Sequence, residues 1–377
     1  MRGAAENTLL RAAGYALAIG MLVLASSCSS EQRPPVVLRS ADAPQLWQHS
    51  GSAQGTTFSI KYFAAEAVDP VLFEQVLELV DREVNLWRED SRIVAINAWP
   101  HTDRLYSFVD SSMIIGVMWV RSLELSQATG GAFDPTVGPL VELWGRKLER
   151  AAQVTPEQVD SVLQIVGMRT DRFDLDEVME DRLYARTDIR KGHPGAAIDF
   201  NAIAQGYTVD MLAEALRMEG VTDMMVELGG ELFCRGDGSQ GSGYGWQISV
   251  DRPVLGSDAQ DRTTQTVVAV RDRAICTSGS YRNYTEVDGR RYSHMINPKT
   301  GYPTHGALLS ATVMASDAAT ADAMATAFMV MGLEQTQYFL ADHPEWGLDV
   351  LLLSDDGSGG YSSWETPGWT AAWRAAN

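Results

Sequence analysis

The chain has 377 residues, 45% hydrophobic and 21% charged, with 30 basic and 49 acidic side chains for a net charge of −19. That composition fits a globular protein with a substantial core. Its acidity argues against nucleic acid or anionic lipid as a partner, and a phosphate-bearing ligand would need a cation to mediate its binding.

The chain opens with Arg2 and Arg11 around a polar stretch, followed by an apolar run from Ala12 to Ala25 and then "SSCSS". A run this short suits a signal-peptide core rather than a membrane span. Cys28, preceded by Ser26 and Ser27, resembles the lipidation site of bacterial lipoproteins, with Ala25 standing where leucine is usual. The alternative is a cleaved signal that releases a soluble protein. The expected organisation is a signal peptide over 1–27, a tether over 28–48 carrying Pro34, Pro35 and Pro44, and one folded domain over 49–377. The protein would then be exported and lipid-anchored, facing the periplasm or another extracytoplasmic space. Losing residues 1–27 removes Arg2, Arg11 and Glu6, which leaves 28 basic and 48 acidic groups and a net charge of −20.

Further along, "GTTFSIKYF" (55–63) alternates as a strand does. Asp69-Pro70 opens an amphipathic helix whose apolar side takes in Leu72, Val76, Val80, Val84 and Trp87. A second helix runs from about Ser111 to Ala128 and stops at Gly130-Gly131. The next loop, "TGGAFDPTVGP" (129–139), carries little charge and is fixed by its glycines and prolines, as a surface shaped to hold a ligand would be. Thr155-Pro156-Glu157-Gln158 has the pattern of a capping box.

Residues 196–220 suggest a strand end, a short turn and a helix closed by Gly220. The second half then gives "MMVEL", "ELFCRG", "WQISV", "TVVAV", "AICTSG", "RYSHMI" and "LLSATVMA" as short strands between glycine-rich turns. A helix from about Ser316 to Met331 follows, stopped by Gly332, then a shorter helix, and "LDVLLL" makes a last strand. Hairpins interleaved with helices indicate an α+β fold with largely antiparallel sheet, in a single domain. Cys234 and Cys276 either form one disulfide or remain as two buried thiols.

Some of these segments carry groups fit for chemistry. Asp322 and Thr326 in "TADAMATAF" stand four apart on a predicted helix and so share a face. A carboxylate, a hydroxyl and a main-chain carbonyl form a donor set suited to Mg²⁺, although an acid early in a helix is also favoured by the helix dipole alone. His294 ends a strand just before a Pro/Gly turn, where a histidine serves either as a general base or as a satisfied half-buried residue. Asp199 either caps the helix after it or faces a ligand together with Ala202 and Gln205 on that helix's first turn. Gly229-Gly230 marks a bulge or a close backbone approach. No Walker-type G-x-x-x-x-G-K, H-E-x-x-H, Cys/His cluster or G-x-S-x-G is present.

The order of the segments is informative as well. "GTTFSI", "LWREDSRIVAIN", "GGAFDPTVGPLVELWG", "IDFNAIAQGYTVD", "VELGGEL", "TSGSYRNY", "SHMINPKTGYP" and "SATVMA…ADAMATAFMVMG" resemble the successive blocks of the ApbE family, the FAD:protein FMN transferases. The resemblance runs from about Gly55 to Leu353 and implies an ApbE-like, T-fold-like architecture with flavin held in a cleft. It also implies Mg²⁺-dependent transfer of FMN from FAD to a threonine (or serine) hydroxyl of an acceptor protein, typically a membrane redox subunit. Carried over residue by residue, it places Gln54, Trp87, Ala132, Phe133, Asp134, Asp199, Gln205 and Ile296 against FAD. Asp322, Thr326 and the Ala202 carbonyl would hold the metal, and His294 would be the base. The chain departs from the family at Gln54, where methionine is frequent, and at Gln205, where lysine or glutamate is. A FAD pyrophosphatase and a non-catalytic FAD-binding lipoprotein are the competing readings. The Trp-rich tail after Leu353 lies beyond the family's pattern.

Overall fold

The computed structural model describes residues 44–181, 184–238, 243, 245–253, 264–280, 284–287, 290–358 and 360–376. Residues 1–43, which hold the expected signal peptide, Cys28 and most of the expected tether, lie outside the described residues. The first half contains β1 (Gln45–Ala53), β2 (Thr56–Ala64), α1 (Pro70–Val84), α2 (Arg92–Ala98), β3 (Tyr106–Asp110), α3 (Ile114–Ala128), α4 (Gly138–Trp144), α5 (Pro156–Leu163), β4 (Phe173–Asp181) and β5 (Tyr184–Lys191). Then come α6 (Ala204–Met218), β6 (Asp223–Leu228), β7 (Glu231–Arg235), β8 (Trp246–Asp251), β9 (Thr264–Val270) and β10 (Arg273–Gly279). The chain closes with β11 (Tyr284–Val287), β12 (Arg290–Ser293), β13 (Leu308–Ala315), α7 (Ala318–Asp342), β14 (Asp349–Asp355), β15 (Tyr361–Glu365) and α8 (Pro367–Ala376).

An eight-stranded antiparallel sheet, ordered β1-β2-β6-β7-β10-β13-β14-β15, forms the centre. Alternate residues of each strand point to opposite faces, and here both faces are covered. Ile60, Val226, Cys276, Val313 and Leu352 join the main core, built with α1, α6 and α7. Cys234, Ile275, Met314, Leu351 and Leu353 face the other way and pack under the β8–β9 ribbon and Trp369 of α8. Double coverage explains why β13 is buried along its whole length. The Trp-rich tail therefore has a structural role, since β15 extends the sheet and Trp369 seals the second core at 1% exposure.

Several local signals act as the sequence suggests. Asp69 caps α1, accepting from the Val71 N–H at 3.0 Å. Thr155 and Gln158 form a reciprocal capping box on α5. Gly332 (φ 77°, ψ 178°) breaks α7 into two helical segments. In other places the structure differs. β1 begins at Gln45, so the last residues assigned to the tether belong to the sheet. Residues 196–200 are irregular rather than a strand end. Trp87 lies beyond α1 and is 67% exposed, because Asn85 ends that helix. Gly229-Gly230 is the turn of a two-residue hairpin joining β6 to β7, with Leu228 paired to Glu231. Cys234 and Cys276 are both free and buried, and burial raises both thiol pKa values.

Candidate functional site

Two helices set the centre of the site, and their packing is unusually close. A Cβ on Gly206 of α6 would lie 2.3 Å from the Ala318 carbonyl oxygen, so only glycine permits this approach. The start of α7 is held from two sides. Asp210 of α6 accepts from the Ala318 and Ala319 N–H groups at 2.7 and 2.9 Å, and Asp317 caps the helix through the Thr320 N–H at 2.8 Å. These carboxylates satisfy amides that a helix start leaves without partners. Asp322 and Thr326 thus project from the second and third turns of α7 on one face, as their spacing predicts, and line one cavity.

In a regular helix the Gly206 N–H would bond to the Ala202 carbonyl, but here it donates to Asp322 Oδ2 at 3.1 Å. Because α6 begins at Ala204, Ala202 sits in the turn before the helix rather than on its first turn, and its carbonyl stands outside the helical ladder. On the cavity wall, Thr326 Oγ1 and Ser278 Oγ of β10 share a hydrogen bond of 3.1 Å. Glu231, the first residue of β7, lines the same cavity, and its Oε2 is buried with no hydrogen-bond partner among the described residues. Burial, with Asp322 nearby, raises the Glu231 carboxyl pKa, and burial likewise raises that of Asp322. Among the described residues no three His, Cys, Asp or Glu side chains gather into a metal cluster. The donors that do converge are all oxygens of mixed kind, with an orphaned buried carboxylate among them, and this set fits a hard divalent cation such as Mg²⁺.

His294 follows β12 and lines the cavity beside Ile296. The turn after it is rigid: Asn297 Oδ1 accepts from the Lys299 N–H at 2.9 Å, and Trp144 Nε1 of α4 donates to the Gly301 carbonyl at 2.7 Å. Ile296 pairs with Pro303 across the turn. The loop 129–139 contributes Ala132, Phe133 and Asp134 to the cavity wall. Asp134 Oδ1 accepts from the Thr136 N–H at 2.8 Å and its hydroxyl at 2.6 Å, which caps the following turn, and burial raises the carboxyl's pKa. Asp199 does not cap α6. Its Oδ1 accepts from the Asn201 N–H at 2.9 Å, its backbone N–H donates to the Pro135 carbonyl at 2.6 Å, and burial raises its pKa.

This cavity, of about 460 Å³, adjoins a second of about 620 Å³, and the two share Arg146, Asn201 and Gln205. Gln54 and Trp87 line the second. Gln54 lies in the β1–β2 turn at φ 50° and donates to Thr208 Oγ1 of α6 at 2.8 Å. Every residue that the sequence nominates therefore lines one of these two connected cavities. Two wider grooves of about 960 Å³ border the site, one through Val141, Arg146 and Asp199 and the other through Val330, and neither contains His294, Asp322 or Thr326.

Sequence reasoning missed Arg146 and Glu231. Among the described residues, Arg146 is the one arginine or lysine lining the two cavities. Its guanidinium lies 4.6 Å from the Trp87 ring centroid, and Nη1 is 3.5 Å from Asp199 Oδ2. Its signal in the sequence is a basic residue directly after "ELWG" in an acidic chain. For Glu231 the signal is an acid on the first, buried position of a strand after a Gly-Gly turn.

The ApbE family model matches residues 54–352. The chain is 31% identical over 373 residues to a FAD:protein FMN transferase of Klebsiella pneumoniae (strain 342), covering 96% of this chain and 97% of that protein. A FAD:protein FMN transferase of Vibrio cholerae is 32% identical over 336 residues, covering 87% of this chain and 94% of that protein. Among solved structures, the flavin transferase ApbE from Vibrio cholerae superposes with a TM-score of 0.70 at 28% identity, covering 87% of this chain and 99% of that one. The apo form of the Pseudomonas stutzeri flavinyl transferase ApbE gives 0.71 at 26% identity, covering 89% and 99%.

Proposed function

The chain belongs to the ApbE family, and from that premise we propose that it is a Mg²⁺-dependent enzyme moving FMN from FAD onto a threonine (or serine) hydroxyl of an acceptor protein. The observation carrying this reading is the convergence of Asp322, Thr326, the Ala202 carbonyl and His294 on one cavity. Asp322, Thr326 and Ala202 would hold the cation. When bound, it would neutralise the diphosphate and stabilise charge on the departing AMP oxygen.

The remaining chemistry falls to the protein and the acceptor. The acceptor hydroxyl oxygen attacks the FMN-side phosphorus of FAD, forming a phosphoester as the bond to the AMP-side oxygen breaks. His294 takes the hydroxyl proton. General-base assistance of this kind contributes roughly 10²–10⁴-fold. Loop 129–139, Ile296, Asp199 and Gln205 would orient FAD, with Trp87 offering an aromatic face in the adjoining cavity. Such a chain, expected to be exported and lipid-anchored at Cys28, would act on acceptors outside the cytoplasm, membrane redox subunits being the class the resemblance implies.

Incubation with FAD, Mg²⁺ and candidate acceptors tests this directly. Covalent flavin fluorescence on an acceptor supports transfer. Free FMN and AMP without labelled acceptor would replace this reading with the pyrophosphatase, and intact FAD would replace it with the carrier.

A further inference from the structure

We propose that Glu231 is an additional protein oxygen donor to the divalent cation, facing Asp322 across the cavity. This rests on the metal reading above and adds a residue to it.

The β6–β7 hairpin places this side chain. Gly229 packs tightly enough that a Cβ would come within 3.0 Å of the Gln205 side chain and of Thr56, so the turn is seated against α6 and β2. Glu227, the hairpin's other acid, accepts from the Gly230 N–H at 3.0 Å and does not line the cavity. Glu231 does line it, at 8% exposure, and its buried Oε2 has no hydrogen-bond partner among the described residues. Arg146, the one arginine or lysine lining the cavity among the described residues, stacks on Trp87 and approaches Asp199.

Two buried carboxylates around one cavity repel each other unless a proton or a cation lies between them. A divalent ion held by Asp322, Thr326 and the Ala202 carbonyl supplies that charge. It also gives Glu231 Oε2 the partner it otherwise lacks, which accounts for an acid at this buried strand position. The assignment further explains how a strongly acidic chain holds a diphosphate. With two carboxylates on the ion, the protein binds the cation firmly, and the open coordination positions are left for phosphate oxygens and water.

The test is Mn²⁺ binding to the full-length protein, followed by the electron paramagnetic resonance signal of free Mn²⁺. Wild type, Glu231→Gln, Glu231→Asp, Glu227→Gln and Asp322→Asn are compared, with folding checked by circular dichroism melting. Glu231→Gln should weaken Mn²⁺ binding about 10- to 100-fold. Glu231→Asp, which keeps the charge on a shorter arm, should fall in between, and Glu227→Gln should stay within about threefold of wild type. Without metal, Glu231→Gln should melt no lower than wild type, because the amide removes the repulsion from Asp322. Glu231→Gln binding Mn²⁺ within about twofold of wild type, while Asp322→Asn loses it, overturns the assignment of Glu231 alone. Wild type that takes up no Mn²⁺ overturns both this assignment and the metal reading beneath it. Should Glu231→Gln not fold, Glu231→Asp decides alone, and unchanged affinity in that variant counts against the proposal.

Discussion

Gly206→Ala adds one methyl group where α6 meets α7, and the structure predicts a large effect from it. The new Cβ would stand 2.3 Å from the Ala318 carbonyl oxygen and 2.9 Å from Ala319 Cα, whereas ordinary contact begins near 3.4 Å. The two helices must therefore separate by about 1 Å, since a close-packed interior has no slack to absorb the methyl. Overpacking of this kind costs about 1–3 kcal/mol. The same shift lengthens the hydrogen bond from the Gly206 N–H to Asp322 and moves the Ala202 carbonyl relative to Thr326. A displacement of about 1 Å at a reacting centre costs on the order of 10²-fold in rate. Urea denaturation measures the first effect, and single-turnover labelling of an acceptor, read as in-gel flavin fluorescence, measures the second. Gly306→Ala serves as control, because a Cβ there meets nothing within 4 Å. Wild-type stability in Gly206→Ala refutes the packing argument. Lost stability with an undiminished labelling rate refutes the claim that this contact sets the donor geometry.

Other sites give independent checks. Arg146→Ala removes the one arginine or lysine that lines the two cavities among the described residues, and FAD affinity followed by flavin fluorescence quenching should fall about 5- to 30-fold, or about 1–2 kcal/mol. Arg146→Lys should recover only part, because an ammonium lacks the planar face that stacks on Trp87. Lys191 is buried, donates to the Asn97 and Pro194 carbonyls at 2.7 and 2.8 Å, and has its pKa lowered by burial to about 8. Between pH 8 and 10.5 the unfolded chain keeps the proton that the folded protein has released. Stability should accordingly rise with pH across that window, by on the order of 3 kcal/mol, and denaturation of Lys191→Met should lack this component. Trp369→Ala opens the second core and should cost about 3–5 kcal/mol in urea denaturation, while the Mn²⁺ affinity of the folded protein stays unchanged.

Much of the fold was legible because its signals are local. Asp69-Pro70, the Thr155–Gln158 box and Gly332 act within a few residues of themselves, and β6 and β8 keep the alternation of half-buried strands. The charge-rich β4 and β5 were missed because "FDLDEVMED" and "YARTDIRK" look like solvated chain, and they form a three-stranded sheet only by pairing with β3. β15 and α8 were missed for a related reason. The apolar face of α8 has meaning only once the β8–β9 ribbon lies opposite it, and that ribbon is far away in sequence.

The site divides in the same way. Asp322 and Thr326 share a helical face by spacing alone, so their joint presence in the cavity follows from the sequence. The Ala202 carbonyl was reached as a metal donor only through family resemblance, because its availability depends on Gly206 turning its N–H to an acid on another helix. Arg146 and Glu231 take their significance from Trp87, Asp199 and Asp322, none of which is a sequence neighbour. Resemblance also assigned Asp134 and Asp199 to FAD. The structure places both on the cavity wall and adds that each holds its own loop in shape.

Diffraction from crystals soaked with Mn²⁺ and FAD, collected for the anomalous signal of manganese, tests the central claim most directly. The account predicts one strong peak bonded to the Asp322 carboxylate, Thr326 Oγ1 and the Ala202 carbonyl, with a FAD phosphate oxygen among its remaining donors. A flavin seated in the cavities with no manganese at those three oxygens, or manganese bound only elsewhere, would contradict it.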